Sequence, residues 1–152
     1  MLYVLISILI FTVDFLIKQN MEASRKLGEE EKILGGKILL RKFHNTGAMF
    51  GFLKERQKLV AGVSAGISAG AVIAYFYLLG KQGMNLLKLG AAFIVGGAAS
   101  NVYDRLVRKY VIDYFSFNVK IEKIKRIIFN ISDLFIFVGS FLIVLWDFRR
   151  KS

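Results

Sequence analysis

The sequence predicts a mainly α-helical membrane protein, a bundle of four transmembrane helices with a small β-hairpin region outside the membrane. Three observations support this fold class. Hydrophobic residues make up 55% of the 152 residues, although charged residues still account for 22%. The charges are concentrated between long apolar runs, whereas a soluble domain has no reason to segregate them. The length suits one domain, so we expect residues 1–152 to form a single integral membrane unit.

The net charge and the missing residue types limit the possible partners and chemistry. A formal charge of +11 predicts an anionic partner. Most Lys and Arg residues lie in connections between apolar runs, which fits membrane lipid head groups better than nucleic acid. No nucleic-acid-binding motif accompanies the charge, so we expect no nucleic-acid partner. The chain lacks cysteine, which excludes disulfides, thiolate metal sites and a thiol nucleophile.

The first apolar run predicts a transmembrane helix over residues 1–18. Its one charged residue before Lys18 is Asp14. A spanning helix needs about 20 residues, so this run is short but sufficient. A cleaved signal peptide is the alternative, but the missing basic N-terminal region and Asp14 favour a retained helix. Because Asp14 and Lys18 are four residues apart, we expect them to pair at the membrane interface.

The polar segment 20–58 contains a hairpin signal and a motif rich in small and aromatic residues. A glycine pair at 35–36 separates two β-prone stretches, as in a hairpin whose two-residue turn needs positive φ. The motif at 44–52 is interpreted as a loop that returns to the membrane. Alternatively, Asn45 hydrogen-bonds a substrate backbone or orients a catalytic carboxylate. His44 is the only histidine, and we interpret it as an interfacial residue rather than a base.

The second apolar run, residues 59–80, is the clearest spanning helix because it contains no charged residue. Gly62, Gly66 and Gly70 recur at every fourth position, and alanines stand beside them. Small residues at this spacing let a neighbouring helix approach closely. The pattern therefore predicts a packing face, and it says nothing about chemistry.

The rest of the chain predicts two more spanning helices, at 86–106 and 130–148. The small residues at 96–99 again permit close helix packing. Between the helices, apolar and polar residues alternate over 115–121, which predicts a half-buried strand beside the first hairpin. Four spans would place both termini on one side of the membrane and the polar connections on the other.

Two aspartates beside apolar segments are the strongest functional candidates, because membrane carboxylates are expensive to bury. Asp113 lies among apolar and aromatic residues, and Asp133 lies in the first turn of the fourth helix. The helix dipole alone would also explain Asp133. We expect both to converge at one membrane face as an acid–base pair. Two close carboxylates share a proton, so one can deprotonate water while the other protonates or polarises a scissile carbonyl.

Other polar residues surround this pair in the sequence. Asn101, Asp104 and Arg105 share one face of the third helix, and Asn130 precedes Asp133 by three positions. For Asp104 we favour an interfacial ion pair that caps the helix over direct catalysis. Magnesium binding is a weaker option, and the chain has no His/Cys cluster for zinc. We therefore expect neither a metal nor another cofactor.

These blocks resemble the signatures of the lipoprotein signal peptidase (signal peptidase II) family. In chain order they are Asp14-x-x-x-Lys18, Asn45-Thr46-Gly47-Ala48, Gly96-Gly97-Ala98 with Asn101-x-x-Asp104-Arg105, Val111-Ile112-Asp113-Tyr114 and Phe129-Asn130-Ile131-Ser132-Asp133. The match covers nearly the whole chain. The resemblance implies a four-helix membrane aspartyl peptidase with an extracytoplasmic β-cradle. Such an enzyme cuts the signal peptide just before a diacylglyceryl-modified cysteine.

The resemblance also implies roles for individual residues. Asp113 and Asp133 would form the catalytic dyad. Supporting or substrate-binding roles fall to Asn45, Gly47, Asn101, Asp104, Arg105, Asn130 and Asp14. Two positions depart from the family pattern: Ser132 stands where alanine is usual, and Tyr110 stands near a common glycine. A hydroxyl beside the dyad could shift carboxylate hydrogen bonding, and a tyrosine could alter the loop that brings Asp113 inward.

The implied partners are a lipid-modified prolipoprotein and membrane lipids, and we expect a monomer. The implied location is the bacterial cytoplasmic (inner) membrane, with the active site near the outer face. The charge distribution opposes this orientation, because segments 20–58 and 105–129 hold most of the 22 Lys and Arg residues. We expect the orientation that the motifs imply, with the active site near the outer face.

Two other functions remain open from the residues alone. One is a small proton- or cation-coupled transporter or accessory membrane protein that uses the acids as a relay. Four spans are few for a transporter, however, and both acids lie at helix ends. The other is a magnesium-dependent phosphotransferase acting on lipid precursors, which needs more acids than this chain offers. Chelation would stop a magnesium enzyme and spare an aspartate dyad.

Overall fold

The computed structural model describes residues 1–47 and 55–151, which form helices and a small sheet. In chain order the elements are α1 (Leu2–Ser24), β1 (Glu30–Ile33), β2 (Ile38–Asn45), α2 (Gln57–Leu79), α3 (Asn85–Val107), β3 (Val111–Phe117), α4 (Glu122–Lys125) and α5 (Ile131–Lys151). Four helices, α1, α2, α3 and α5, are long and apolar enough to cross a membrane. The predicted fold class, a four-helix membrane bundle with a small β region, is therefore confirmed.

Helix α3 is the centre of the bundle, since it packs against α1, α2 and α5. The small residues of the 96–99 segment make this possible. A Cβ atom added to Gly96 would lie 2.7 Å from the Ser7 carbonyl oxygen of α1. One added to Gly97 would lie 2.5 Å from the Ser132 carbonyl oxygen of α5. The close packing predicted for this segment is therefore confirmed.

The close packing predicted for the glycine stripe of α2 is wrong. Among the described residues, nothing lies within 4 Å of a Cβ atom added to Gly62, Gly66 or Gly70. Helix α2 instead attaches through Tyr75, which is 2% exposed and packs with Ala91 and Ala92 of α3. The glycine spacing does place these residues along one face of the helix. The contact with α3 uses Tyr75 instead, because its large aromatic side chain buries more area than glycine does.

This difference gives a matched pair of stability predictions. We expect Gly97→Ala to destabilise the protein by about 1–3 kcal/mol, because the added methyl group overlaps the backbone of α5. Gly66→Ala should be neutral or stabilising by up to about 1 kcal/mol, because alanine favours helix and the site is open. Thermal unfolding in detergent measures both. Equal effects of the two substitutions would contradict the packing described here.

The sheet has the strand order β1-β2-β3, and both pairings are antiparallel. The predicted hairpin is confirmed, with Ile33 paired to Ile38. Its connection, however, contains the four residues 34–37 instead of a two-residue turn. Leu34 adopts positive φ together with both glycines, so three consecutive residues are needed to reverse the chain.

Two predicted boundaries are wrong for a common reason, the packing of α1 against β3. Helix α1 continues past residue 18 to Ser24, and Met21 in this extension is buried against Ile112 and Tyr114. The third strand covers Val111–Phe117 instead of 115–121, and all but its last residue are buried. The predicted alternation assumed one face in water, but α1 and the Phe129 segment cover this strand.

The sheet lies where α1 and α3 end and α2 and α5 begin. Near the opposite end of the bundle, the Tyr3 hydroxyl of α1 donates to Asn85 Oδ1 at the start of α3 (3.1 Å). Farther along, Lys18 reaches Asn101 of α3, so these two helices run parallel. Both chain termini therefore lie away from the sheet, as four spans require.

Candidate active site

A cavity of about 530 Å³ lies between the sheet and the ends of the spanning helices. Its walls come from β2, residues 46–47, α3, β3, the segment around α4, and α5. Asp113 and Asp133 both line this cavity. The structure therefore brings together the two acids that the sequence analysis singled out, although they are far apart along the chain.

Asp113 enters the cavity from the middle of β3, where it pairs with Phe43 of β2. Its carboxylate accepts two hydrogen bonds, from Asn45 Nδ2 to Oδ2 (3.0 Å) and from Asn130 Nδ2 to Oδ1 (2.7 Å). Burial, with a further contribution from the charge of Asp133, raises the pKa of Asp113 to about 7. A carboxyl with this pKa can hold or release a proton near neutral pH.

Asp133 is held by the start of α5. Its Oδ2 accepts from the Asn130 backbone N–H (3.1 Å), and its own N–H donates to Asn130 Oδ1 (3.0 Å). This reciprocal pair is a capping box, so the helix-end interpretation of Asp133 describes its local structure correctly. The other oxygen, Oδ1, accepts from Asn101 Nδ2 of α3 (2.9 Å). The cap thus fixes a carboxylate that also faces the cavity.

Asn130 connects the two acids. Besides capping α5, its fully buried amide donates to Asp113 Oδ1 (2.7 Å) and to Asn101 Oδ1 (3.1 Å). Asn101 in turn donates to Asp133. Two amides therefore bridge the carboxylates through a continuous hydrogen-bond network. Such a network holds both acids in fixed positions.

A second buried cluster lies next to this network, centred on Lys18. The Lys18 Nζ contacts Asp14 Oδ2 (2.8 Å) and Asp104 Oδ2 (3.0 Å), and it donates to Ser100 Oγ (3.1 Å) and Asn101 Oδ1 (2.8 Å). The predicted pairing of Asp14 with Lys18 is therefore present. Both side chains are fully buried inside the bundle.

Asp104 and Arg105 point to different surroundings. Asp104 forms ion pairs with Lys18 and Arg108, and it accepts from the Ile112 backbone N–H (3.2 Å). These contacts match the ion-pair interpretation, and the Asp104 side chain is buried within the protein. Arg105 lines the cavity and donates to the carbonyl oxygens of Gly47 and Asn101 (both 3.4 Å).

The Asn45 motif is described only as far as Gly47, and Ala48 and the rest of the predicted 44–52 loop lie outside the described residues. The Gly47 N–H donates to Asn45 Oδ1 (3.1 Å), which leaves the Asn45 amide group to contact Asp113. The interpretation in which Asn45 orients a carboxylate thus has a direct geometric counterpart. His44 pairs with Glu22 (2.9 Å) and is not within this network.

Sequence reasoning did not predict the hydroxyl contacts that fix Asp14. Hydroxyl groups of Ser100 and Ser132 donate to Asp14 Oδ2 (both 2.6 Å), and that of Tyr114 donates to Oδ1 (2.8 Å). The sequence analysis expected the Ser132 hydroxyl to affect the hydrogen bonding of a carboxylate, and the carboxylate to which it donates is that of Asp14. One sequence feature could have indicated the two serines, since each is adjacent to an asparagine or aspartate of a motif.

Tyr110, the other unusual position, stacks on the His44 ring with 3.8 Å between ring centroids. This contact joins the α3–β3 connection to β2 beside the cavity. Within the described residues, no group of three or more His, Asp or Glu side chains is placed to hold a metal ion.

Comparison with known proteins identifies the family. A family model described as Signal peptidase (SPase) II matches residues 6–149. The chain belongs to the signal peptidase II family. Lipoprotein signal peptidases of Lactobacillus johnsonii and Moorella thermoacetica are 32% and 30% identical to it over 145 residues. Each alignment covers 95% of this chain, with 90% and 91% of the respective relatives.

Solved structures show a similar fold. A bacterial membrane enzyme solved at 2.3 Å resolution superimposes with a TM-score of 0.84 at 22% identity, covering 99% of this chain and 89% of that one. Membership in the signal peptidase II family makes the chain a peptidase, and its four membrane-length helices make it a multi-pass membrane protein. A cleaved signal peptide was the alternative interpretation of the first apolar run. In the structure this run is helix α1, and it carries Asp14 and Lys18 into the buried cluster.

Proposed function

We propose that this protein is an aspartyl endopeptidase that removes the signal peptide from diacylglyceryl-modified prolipoproteins, cutting before the lipidated cysteine. The observation that carries the proposal is that Asp113 and Asp133 line one cavity at one end of the spanning helices. The relatives named lipoprotein signal peptidase support the substrate class.

In this proposal the two carboxyl groups divide the proton transfers. Ionised Asp133 takes a proton from water as its oxygen attacks the scissile carbonyl carbon, and protonated Asp113 gives its proton to the carbonyl oxygen. Asp133 then protonates the leaving nitrogen, and Asp113 recovers a proton as the carbon–nitrogen bond breaks. The raised pKa of Asp113 supports its assignment as the initial acid. Water is the only co-reactant.

The walls of the cavity support a lipid-modified substrate. Phe43, Phe129 and Phe137 line it alongside the acids. Phe137 belongs to the spanning helix α5 and is 50% exposed, so the cavity is bordered by a surface that faces the bilayer. An acyl chain beside the scissile bond can therefore remain in an apolar environment while the peptide reaches the acids.

The location proposed is the bacterial cytoplasmic membrane, with the cavity at the outer face. The family assignment supports this orientation. The distribution of Lys and Arg residues favours the reverse, since they are concentrated at the sheet end. Several of these cations are paired within the folded sheet region, for example Arg41 with Glu30 and Lys42 with Glu22. Such pairing neutralises part of the positive charge of this region.

The test is cleavage of one precursor prepared with and without the diacylglyceryl group by the purified protein. We expect kcat/KM for the modified precursor to be at least about tenfold higher, because burial of each CH₂ contributes about 0.8 kcal/mol. A variant precursor with serine in place of the cysteine controls for the peptide sequence. Equal cleavage of modified and unmodified precursors would contradict the proposed substrate class.

A further inference from the structure

The connection between β3 and α5, residues 119–128, carries exposed apolar side chains next to basic ones. We call it the 119–128 segment. Three of its apolar side chains are exposed, namely Val119 (39%), Ile121 (59%) and Ile124 (40%). The basic side chains interspersed with them are Lys120, Lys123, Lys125 and Arg126. Apolar and basic residues are therefore mixed at the surface over one short stretch.

The basic side chains of this segment form no ion pairs with acidic residues in the described part of the chain. Across residues 1–47 and 55–151, none of the four forms an ion pair. Residues 48–54, which the structure does not describe, contain no Asp or Glu. The one acid within the segment is Glu122. The segment therefore carries a net positive charge that the protein itself does not neutralise.

The helical turn at α4 separates these side chains onto two faces. Ile121 and Ile124 are three residues apart and share one face, which is exposed. Lys123 and Arg126 share the other face and line the cavity. One face of the turn is thus part of the cavity wall, while the opposite apolar face is exposed.

The segment lies just before a membrane-length helix in the chain. The segment ends three residues before α5 begins at Ile131. Along α5, Leu134 (36%) and Phe137 (50%) are exposed in the first turns of a membrane-length helix. The apolar side chains of the segment therefore lie close to the level at which this helix enters the bilayer.

We propose that the 119–128 segment is an interfacial anchor that binds the anionic head groups of the leaflet at the sheet end of the bundle. Ile121 and Ile124 insert at the boundary between head groups and acyl chains, and Lys120 and Lys125 contact lipid phosphates. A lipid surface fits better than an acidic peptide, because apolar insertion beside unpaired cations is what binds a segment to an anionic bilayer. The inference does not depend on the proposed peptidase function.

Tryptophan fluorescence in lipid vesicles tests this anchor, because Trp146 is the only tryptophan. In a Trp146→Phe background, Ile124→Trp reports the apolar face and Glu122→Trp serves as the matched control on the same turn. The protein is reconstituted in phosphatidylcholine vesicles containing about 30% phosphatidylglycerol, with bromine on the acyl chains. Detergent melting curves check that each variant is folded.

We expect bromine to quench the Ile124→Trp protein at least about twofold more than the Glu122→Trp protein, since an anchored apolar face lies about 5–10 Å into the boundary region. Equal bromine quenching of the two proteins, together with quenching of both tryptophans by aqueous acrylamide, would overturn the proposed anchor. Pure phosphatidylcholine, or the double substitution Lys120→Gln and Lys125→Gln, should reduce the Ile124→Trp quenching. No response to lipid charge, combined with a response to a soluble glutamate-rich peptide, would assign the cations to a peptide partner instead.

Discussion

Asp113→Asn and Asp133→Asn are each expected to reduce kcat for precursor cleavage by about 10²–10⁴-fold, while leaving the protein folded. An amide group cannot take a proton from water or return one to the leaving nitrogen. Asn130 and Asn101 continue to hold the substituted side chains near the cavity. Initial rates on a diacylglyceryl-modified precursor, measured at saturating substrate, give the required comparison.

The matched control is Glu30→Gln, which removes a surface carboxylate that pairs with Arg41 in the sheet. It should leave kcat within about twofold, because exposed ion pairs contribute little. Normal turnover by either asparagine variant would falsify the dyad assignment.

The wild-type rate should also decline as the pH rises above about 7, since Asp113 then loses the proton that it gives to the carbonyl.

Lys18→Met is expected to produce the largest loss of stability, about 3–5 kcal/mol. The substitution keeps the length and the apolar stem of the side chain but removes the charge. It leaves Asp14 and Asp104 as buried carboxylates without the ammonium group that they share. It also removes the Lys18 hydrogen bond to Asn101 Oδ1 (2.8 Å), so Asp133 should lose part of its positioning.

The comparison variant for stability is Arg25→Met, which breaks the more exposed contacts of Arg25 with Glu29 and Glu31. It should cost no more than about 1 kcal/mol, because surface ion pairs are screened by water. Unfolding in mixed detergent micelles measures both variants. If Lys18→Met were no more damaging than Arg25→Met, the buried cluster would not stabilise the bundle as described.

The spanning helices and the hairpin could be predicted because their signals are local. A charge-free run of membrane length, such as 59–80, has few alternatives to a spanning helix. The glycine pair at 35–36 marks a chain reversal for a similar reason. The glycine stripe of α2 led to a wrong packing prediction. Its spacing shows that a helix could approach closely, but it does not show that a neighbouring helix is there. Only the arrangement of all four helices decides which small-residue face is used.

The polar network could be predicted only in part. The motifs gave the acids and asparagines, but not the bonds between them, because these bonds join elements distant in the sequence. Asn130 illustrates the limit, since one amide caps α5 and also bridges Asp113 to Asn101. The bonds from Ser100 and Ser132 to Asp14 could not be predicted, because they join α3 and α5 to a residue of α1 that is distant in the sequence.

The central claim is that Asp113 and Asp133 together activate a water molecule that attacks the peptide directly. A single-turnover reaction in ¹⁸O-labelled water tests it, with mass analysis of the released signal peptide and of the enzyme. The account predicts one ¹⁸O atom in the new carboxylate of the signal peptide and none in either aspartate. An unlabelled product, with ¹⁸O found in the side chain of Asp113 or Asp133, would contradict it by showing that the aspartate attacks the substrate itself.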